Sequence, residues 1–187
     1  MAYKYCYLCG GQVAAVSANG ETHWRCPVCG QTFFDNPKPA AEIVLVTEKN
    51  TVVVVVRARD PHKGKFDLPG GFINSGETVE QGLERELVEE LGLKASDYTQ
   101  PIYLFSAVDQ YPWGQEIHTV VTSPFTARLS SSLRLEAQDD VEKILYLAPD
   151  KLRSEYFAWE SQYPIILAAI EYWAQPNTSS NALPTSG

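Results

Sequence analysis

The sequence lacks long apolar runs and has little basic charge. Nowhere do about 18 apolar residues follow one another, the length that a membrane-spanning helix needs, and residues 1–5 do not resemble the start of a signal peptide. We therefore expect a soluble, unexported, cytoplasmic protein. Lys and Arg number 15 against 23 Asp and Glu, which gives a net charge of −8. Broad, sequence-independent binding of nucleic acid needs a basic surface, so the negative net charge argues against it. It does not exclude a nucleotide bound through metal ions.

The length and composition fit one ordinary domain with a small appendage. The chain has 187 residues, of which 44% are hydrophobic, enough to build a core. Two prolines within residues 36–40 indicate a short stiff linker. We predict a small N-terminal domain at 1–35, a main domain at 40–175 and a disordered polar tail at 176–187.

Cysteine is confined to the first part of the chain. Cys6, Cys9, Cys26 and Cys29 form two C-x2-C pairs, a spacing typical of a structural zinc site in a zinc ribbon. Two disulfides or four free thiols are the alternatives, and an unexported protein disfavours disulfides. A segment this short has too little core to fold alone, so bound Zn²⁺ would supply folding energy.

Alternating and apolar runs predict the elements of the main domain. The run at 52–56 is entirely valine and predicts a strand buried on both faces. The segment 109–115 is predicted to be a loop. Strands are expected at 41–46, 51–57, 66–68, 102–108, 116–127 and 144–147, and helices at 78–91 and 162–173.

The helix at 78–91 carries an acidic face. Leucines recur every four residues and give it an apolar stripe, while Glu86, Glu89 and Glu90 share another face. Crowded carboxylates repel each other, which raises the pKa of at least one of them unless a cation is bound. A Mg²⁺ or Mn²⁺ site that acts on phosphates is one interpretation. A solvated acidic helix face is the other.

The wider spacing around this helix is more specific. Residues 71–93 match every fixed position of G-x5-E-x7-R-E-U-x-E-E-x-G-U, where U is aliphatic. This is the Nudix box, and the whole chain resembles Nudix hydrolases with an N-terminal four-cysteine zinc ribbon. The resemblance implies an α+β fold, an α/β/α sandwich with a mixed sheet. It also implies hydrolysis of a nucleoside diphosphate linked to another moiety, giving two monophosphates.

The resemblance also assigns roles to residues of the box. Glu86, Glu89 and Glu90 would hold Mg²⁺ or Mn²⁺, helped by the backbone carbonyl of Gly70. Arg85 would orient the glutamates through charge-assisted hydrogen bonds. These residues are the expected catalytic centre.

The general base is open at this point. In some relatives it is the glutamate that matches Glu86, and in others a glutamate of a downstream loop. Glu116, Asp140 and Glu142 are the downstream candidates in this sequence. Glu77, near the helix start, is expected mainly to support the loop.

Substrate contacts are expected outside the box. Arg57 lies in a basic stretch before it and is a candidate phosphate contact. Tyr111 and Trp113 are candidates for stacking on a nucleobase, with core packing as the alternative. NADH diphosphatases with a ribbon carry S-Q-P-W-P-F-P-x-S after the box, and here only Tyr-Pro-Trp at 111–113 is similar. The leaving group therefore stays open among NADH, FAD, ADP-ribose and nucleotide sugars.

Other functions remain in competition with the diphosphatase. A non-catalytic nucleotide sensor or partner-binding module on the same fold would bind without hydrolysis. Removal of a nucleotide cap from an RNA 5′ end would use the same pocket, although the acidic balance weakens it. A homodimer is a further expectation from the resemblance.

Overall fold

The computed structural model describes residues 4–18, 20–130 and 135–175, so the predicted tail at 176–187 lies outside the described residues. The chain forms two compact units. The ribbon unit comprises the described residues up to Pro37 together with Gln110–Thr119. The sheet unit comprises Lys38–Asp109 and the described residues from Val120 onward. The ranges predicted from the sequence place residues 110–119 in the larger domain instead.

The ribbon unit contains a small antiparallel sheet. Its strands, in the order β1-β2-β3, are Ala14–Ala18 (β1), Glu21–Arg25 (β2) and Thr32–Phe34 (β3). Cys6, Cys26 and Phe33 are buried together, with Val13 and Trp24 packed against them. So small a core leaves little apolar area to stabilise this part of the chain.

The larger sheet has eight strands and mixed direction. Strands β4 and β10 run parallel, whereas the other described pairings are antiparallel. The main path is β11-β5-β4-β10-β8, with β6 on β5, β7 on β4 and β9 on β10. The strands are Lys38–Val46 (β4), Val52–Arg57 (β5), Phe66–Asp67 (β6), Gly70–Phe72 (β7), Ile102–Tyr103 (β8), Ala107–Trp113 (β9), Glu116–Arg128 (β10) and Val141–Leu147 (β11).

Two helices cover opposite faces of this sheet. Helix α1 is Val79–Leu91 and helix α2 is Gln162–Ala174. Alternate residues of β4 and β5 belong to different buried clusters, one with the leucines of α1 and the other with the isoleucines of α2. The valines of β5 are at most 4% exposed, which confirms the strand predicted to be buried on both faces. The predicted α+β sandwich with a mixed sheet is confirmed.

The prediction of a loop at 109–115 was wrong. Strand β9 continues to Trp113, and a tight turn at Gly114 and Gln115 leads into β10. Gly114 takes a φ of 62°, which a glycine adopts without strain. Pro112 misled the prediction, because proline is tolerated in an edge strand and β9 pairs with β10 alone in the described sheet.

Several further boundaries differ from the prediction, and strand β4 begins at Lys38, earlier than the expected 41. The strand expected at 102–108 is two strands, β8 and the start of β9. The last strand begins at Val141, earlier than the expected 144. Among the described residues, no helix is long and apolar enough to cross a membrane.

Candidate active site and candidate metal centre

Local signals at both ends fix the register of α1. Thr78 caps the helix start, where its Oγ1 accepts a hydrogen bond from the Gln81 amide at 3.2 Å. The Gln81 side chain accepts one from the Thr78 amide at 2.9 Å, which completes a capping box. Gly92 ends the helix with a φ of 66°. The acidic face of α1 is therefore fixed by the chain's own capping residues.

Arg85 holds the acidic residues of the box together. The hydrogen bond from Arg85 to Glu77 is the main cause that lowers the pKa of the Glu77 carboxyl to about 2. Charge-assisted bonds of this kind are short and directional. The guanidinium donates to Glu77 Oε1 (2.7 Å), Glu86 Oε1 (2.7 Å), Glu89 Oε2 (2.9 Å) and the Phe72 carbonyl (2.9 Å).

Glu90 is directed to the backbone of the preceding loop. Its Oε2 accepts a hydrogen bond from the Gly70 amide at 3.0 Å, and the side chain is buried. Burial raises the pKa of Glu90 well above its usual value, and Asp140, Asp67 and Glu86 add negative charge. Burial likewise raises the pKa of Glu86. Arg85 lowers the pKa of Glu86 against this effect, but burial outweighs it.

The glycines before α1 are required by close backbone approach. A Cβ on Gly71 would lie 2.5 Å from Glu86 Oε1. Gly70 has a φ of 141°, and a Cβ there would lie 2.2 Å from the Ala41 carbonyl oxygen. Glycine at positions 70 and 71 therefore allows this segment to lie this close to β4 and to the Glu86 carboxylate.

The box residues fit a hard divalent cation. They supply carboxylate and carbonyl oxygens, the ligands Mg²⁺ prefers, and a cation would relieve the raised pKa values of Glu86 and Glu90. Glu86 and Glu89 both bond Arg85, whereas Glu90 bonds the Gly70 amide. Within the described residues, only the four cysteines form a group of three or more potential ligands whose atoms all lie within 4.8 Å of one another.

Of the downstream acids, Asp140 is the one that acts on the box glutamates. Its charge raises the pKa of both Glu86 and Glu90. The loop before it is tied to α1, since the Gln138 amide donates to the Glu90 carbonyl at 3.0 Å. Glu142 is exposed on β11. Glu116 belongs to the ribbon unit, 3.7 Å from His118 Nε2.

Arg57 is engaged within the protein. Its Nη1 forms an ion pair with Asp67, its Nε donates to the Pro61 carbonyl at 2.7 Å, and its guanidinium lies 5.7 Å from the Trp159 ring centroid. The side chain is 13% exposed. A contact from Arg57 to substrate phosphate stays a prediction.

The two candidate stacking residues lie near the tip of the β9–β10 hairpin. The ring centroids of Tyr111 and Trp113 are 6.1 Å apart, and Trp113 is 61% exposed. Trp113 also meets the His118 ring edge to face at 6.3 Å. Their stacking on a nucleobase stays a prediction.

A buried polar cluster beside the box was missed from the sequence. Glu42, in β4, is buried, and burial raises its pKa to about 8. Gln162, the first residue of α2, donates from Nε2 to Glu42 Oε2 at 3.1 Å and also to Asp67 Oδ1. The usable signal was Glu42, a charged residue inside an apolar strand, because acids are rarely buried without a specific partner.

The cysteines form a separate candidate metal centre. Cys6 Sγ lies 3.6 Å from Cys29 Sγ, and Cys9 Sγ lies 3.5 Å from Cys26 Sγ. A disulfide needs about 2.05 Å, so these pairs are not bonded. A tetrahedral Zn²⁺ with bonds of about 2.3 Å separates its sulfurs by about 3.8 Å, close to the observed spacing.

The backbone around the cysteines supports the same interpretation. The Cys6 amide donates to the Gly11 carbonyl and the Cys26 amide to the Gln31 carbonyl, both at 2.8 Å. The two C-x2-C turns therefore repeat one geometry. The Cys29 amide is the main cause that lowers the pKa of Cys26 to about 7. At Cys9 the Gly11 amide lowers the pKa, but the Cys29 and Cys26 thiols outweigh it and raise the pKa to about 12. Bound metal would favour the thiolate at each cysteine. The four cysteines are thus suited to hold zinc.

Comparison of the sequence with known proteins identifies a family and several relatives. The model of the NUDIX domain family matches residues 36–168. A curated ADP-ribose pyrophosphatase of Methanocaldococcus jannaschii is 39% identical over 121 residues, 63% of this chain and 71% of that protein. The NAD-capped RNA hydrolase NudC of Chromobacterium violaceum is 33% identical over 112 residues, 59% of this chain and 39% of that protein. The match thus spans less than half of the NudC relative.

Solved structures show the same architecture. A NUDIX hydrolase from Nitrosomonas europaea superposes with a TM-score of 0.72 at 25% identity, over 91% of this chain and 92% of that chain. The NUDIX domain of Shewanella oneidensis NrtR, solved with ADP ribose, gives a TM-score of 0.61 at 22% identity, over 75% of this chain and 90% of that chain.

Proposed function

The chain belongs to the Nudix family, and on that premise we propose that it is a Mg²⁺-dependent hydrolase of a nucleoside diphosphate linked to another moiety. The products would be two monophosphates. The observation that carries the proposal is the complete box, folded as a capped helix whose glutamates are held by Arg85 and Gly70. A pure binding module has no evident need for all of these groups.

We assign the divalent ion, Mg²⁺ or Mn²⁺, to Glu86, Glu89, Glu90 and the carbonyl of Gly70. When bound, such an ion neutralises diphosphate charge and lowers the pKa of a coordinated water. Arg85 orients Glu86 and Glu89 through its bonds of 2.7 and 2.9 Å. Gly71 leaves the space that the Glu86 carboxylate occupies.

The proton of the attacking water needs an acceptor. Water attacks one phosphorus, the bond from that phosphorus to the bridging oxygen breaks, and the water's proton passes to a carboxylate. Glu86 and Asp140 are our candidates, because Asp140 adds to the negative charge around Glu86 and Glu90. Glu116 and Glu142 have no comparable support.

The relatives favour a substrate with an ADP-ribose or dinucleotide diphosphate. One curated relative is named for ADP-ribose, and the NUDIX domain of NrtR was solved with it. Tyr111 and Trp113 are the proposed base contacts, and Trp113 is 61% exposed. The relatives named NAD-capped RNA hydrolase favour a second candidate, removal of a nucleotide cap from RNA.

We also propose that Cys6, Cys9, Cys26 and Cys29 bind one structural Zn²⁺. Four thiolates leave no open coordination position, so this ion takes no part in the hydrolysis. A homodimer remains a prediction, and light scattering on the purified protein measures it.

Product analysis on the purified protein tests the proposed function. The panel comprises NADH, NAD, FAD, ADP-ribose, diadenosine polyphosphates, a nucleotide sugar and an NAD-capped RNA, each with Mg²⁺ and with a chelator. We expect one small compound to yield two monophosphates with Mg²⁺ only. Cleavage of the capped RNA alone would favour the second candidate. A compound that raises the melting temperature without being cleaved would indicate a nucleotide sensor instead.

A further inference from the structure

Gln162 joins the C-terminal helix to two buried acids of the sheet. It is the first residue of α2 and is 0% exposed. Its Nε2 donates to Glu42 Oε2 at 3.1 Å and to Asp67 Oδ1. One amide nitrogen therefore bonds two carboxyls that belong to different strands, β4 and β6, while Glu42 Oε1 and Gln162 Oε1 are buried without a hydrogen-bond partner among the described residues.

These two acids lie on both sides of the Gly70 segment. Glu42 is the direct partner of Gly70 in the β4–β7 ladder. Asp67 begins the stretch that leads to Gly70, and its Oδ1 accepts a hydrogen bond from the Leu68 amide at 2.9 Å. The next residue of β4 is also tied to this stretch, because the Ile43 amide donates to the Pro69 carbonyl at 2.9 Å.

The Gly70 segment in turn holds a box glutamate. The Gly70 amide donates to Glu90 Oε2 at 3.0 Å. A continuous series of hydrogen bonds and backbone links thus runs from Gln162 through Glu42 and Asp67 to Glu90. A group that hydrogen-bonds a metal ligand directly, as the Gly70 amide does Glu90, influences metal affinity strongly, and Gln162 holds the segment that carries this amide.

The charge of the cluster explains why an amide is needed. Asp67 and Asp109 both add negative charge at Glu42, and Arg57 is the cation paired with Asp67. A carboxyl buried in an apolar environment is costly unless it is hydrogen-bonded. An apolar residue in place of Gln162 would leave Glu42 and Asp67 without their shared donor, and the segment between them would shift.

We propose that Gln162 is a positioning residue for the divalent-metal site of the box. This inference deepens the proposed function and rests on its assignment of the metal to Glu86, Glu89, Glu90 and Gly70. Gln162 acts through the Gly70 segment and touches neither metal nor substrate.

Direct measurement of Mn²⁺ binding tests this role without turnover. The full chain, with its ribbon metal kept and Mg²⁺ removed, is titrated with Mn²⁺ and free ion is followed by electron paramagnetic resonance. We expect Gln162→Met to weaken Mn²⁺ binding by roughly 10-fold or more. The matched control is Ile166→Val, a buried residue of the same helix that packs in the apolar cluster. It should keep the wild-type Kd.

A second variant guards against simple misfolding. Gln162→Glu keeps the shape of the side chain but donates at most one hydrogen bond, so it should weaken Mn²⁺ binding in the same direction. Melting temperatures of all three variants are measured alongside. Equal Kd values for both Gln162 variants and the control would overturn the positioning role.

The outcome is separable from that of the proposed function. A wild-type protein that binds Mn²⁺ but cleaves no substrate would refute the hydrolase and leave the Gln162 test intact. A wild-type protein that binds no Mn²⁺ at the box would overturn the metal assignment and the positioning role together.

Discussion

The backbone at Gly71 lies directly against the Glu86 carboxylate. An added Cβ would approach Glu86 Oε1 to 2.5 Å and Glu86 Cδ to 2.6 Å. Real Cβ atoms do not approach that closely, so the carboxylate has to move. Gly71 therefore contributes to the candidate active site because, without a side chain, it leaves space for the Glu86 carboxylate.

Gly71→Ala should damage activity more than stability. Displacing a reacting group by about 1 Å reduces rates by roughly 100-fold. The control variant is Gly76→Ala. A Cβ there would have no atom within 4 Å, but the backbone φ is 90°. That variant should lower the melting temperature through backbone strain and keep kcat/KM. Comparison of kcat/KM and melting temperature for both variants measures this, and the reverse pattern would contradict it.

Asp140 is the downstream acid whose role is most open to test. If it accepts the water's proton, Asp140→Asn should reduce kcat by roughly 100-fold or more. Glu142→Gln is the matched control two residues away and should keep wild-type kcat. The two variants are compared at saturating substrate and Mg²⁺. An unchanged kcat in Asp140→Asn would assign the proton to Glu86 instead.

The sequence predicted the residues of the box better than their partners. The match to the Nudix box picked out Glu86, Glu89 and Glu90, because the motif fixes their positions on one helix. The partners of Arg57 and Gln162 depend on which strands meet in space, and no local pattern records that. A charged residue within an apolar strand, as at Glu42, is the signal that deserved more weight.

At the scale of elements, β4, β6 and α2 meet around one titrating group. Glu42 faces Asp67, Asp109 and Gln162. Burial raises its pKa from 4.5 to about 8, so the folded protein holds this proton more tightly than the unfolded chain. The stabilisation is complete below pH 4.5 and is lost as pH rises to about 8. The loss is on the order of 5 kcal/mol.

Glu42→Gln should therefore change how stability depends on pH. The amide has no proton to release, so the stability of the variant relative to wild type should increase between pH 5 and 8. Urea unfolding at several pH values, without divalent metal, measures the difference. A difference that stays constant across this range would contradict a buried, protonated Glu42.

The helices and buried strands were predictable, whereas the edge of the sheet was not. Thr78 and Gly92 cap the two ends of α1, as their residue types indicate. The valine run of β5 is buried on both faces, as its apolar character indicates. Strand β9 was hidden by Pro112 and by polar neighbours, since an edge strand needs neither an apolar face nor every amide.

At the scale of the whole molecule, two compact units differ in what stabilises them. The sheet unit has two apolar clusters, whereas the described core of the ribbon unit is a few residues around Cys6 and Cys26. The inclusion of residues 110–119 in the ribbon unit could not be predicted, because no sequence pattern links them to the cysteines.

Loss of zinc should loosen the ribbon unit alone. Metal binding supplies the folding energy of so small a domain, so Cys9→Ser or a strong chelator should abolish its zinc. Native mass spectrometry should find one Zn²⁺ in the wild type. In the zinc-free protein, backbone amides at residues 4–37 and 110–119 should lose protection from hydrogen exchange. Amides in β4 and β5 should keep it. Full protection of residues 4–37 in the zinc-free protein would contradict this.

The central claim is that the box glutamates form a hydrolytic centre, and one comparison tests it most directly. Turnover of the best substrate is measured for Glu86→Gln and for Glu84→Gln, an exposed glutamate of the same helix. We expect Glu86→Gln to lose roughly 1,000-fold in kcat with its melting temperature kept, and Glu84→Gln to match the wild type. Full activity of Glu86→Gln would contradict the account.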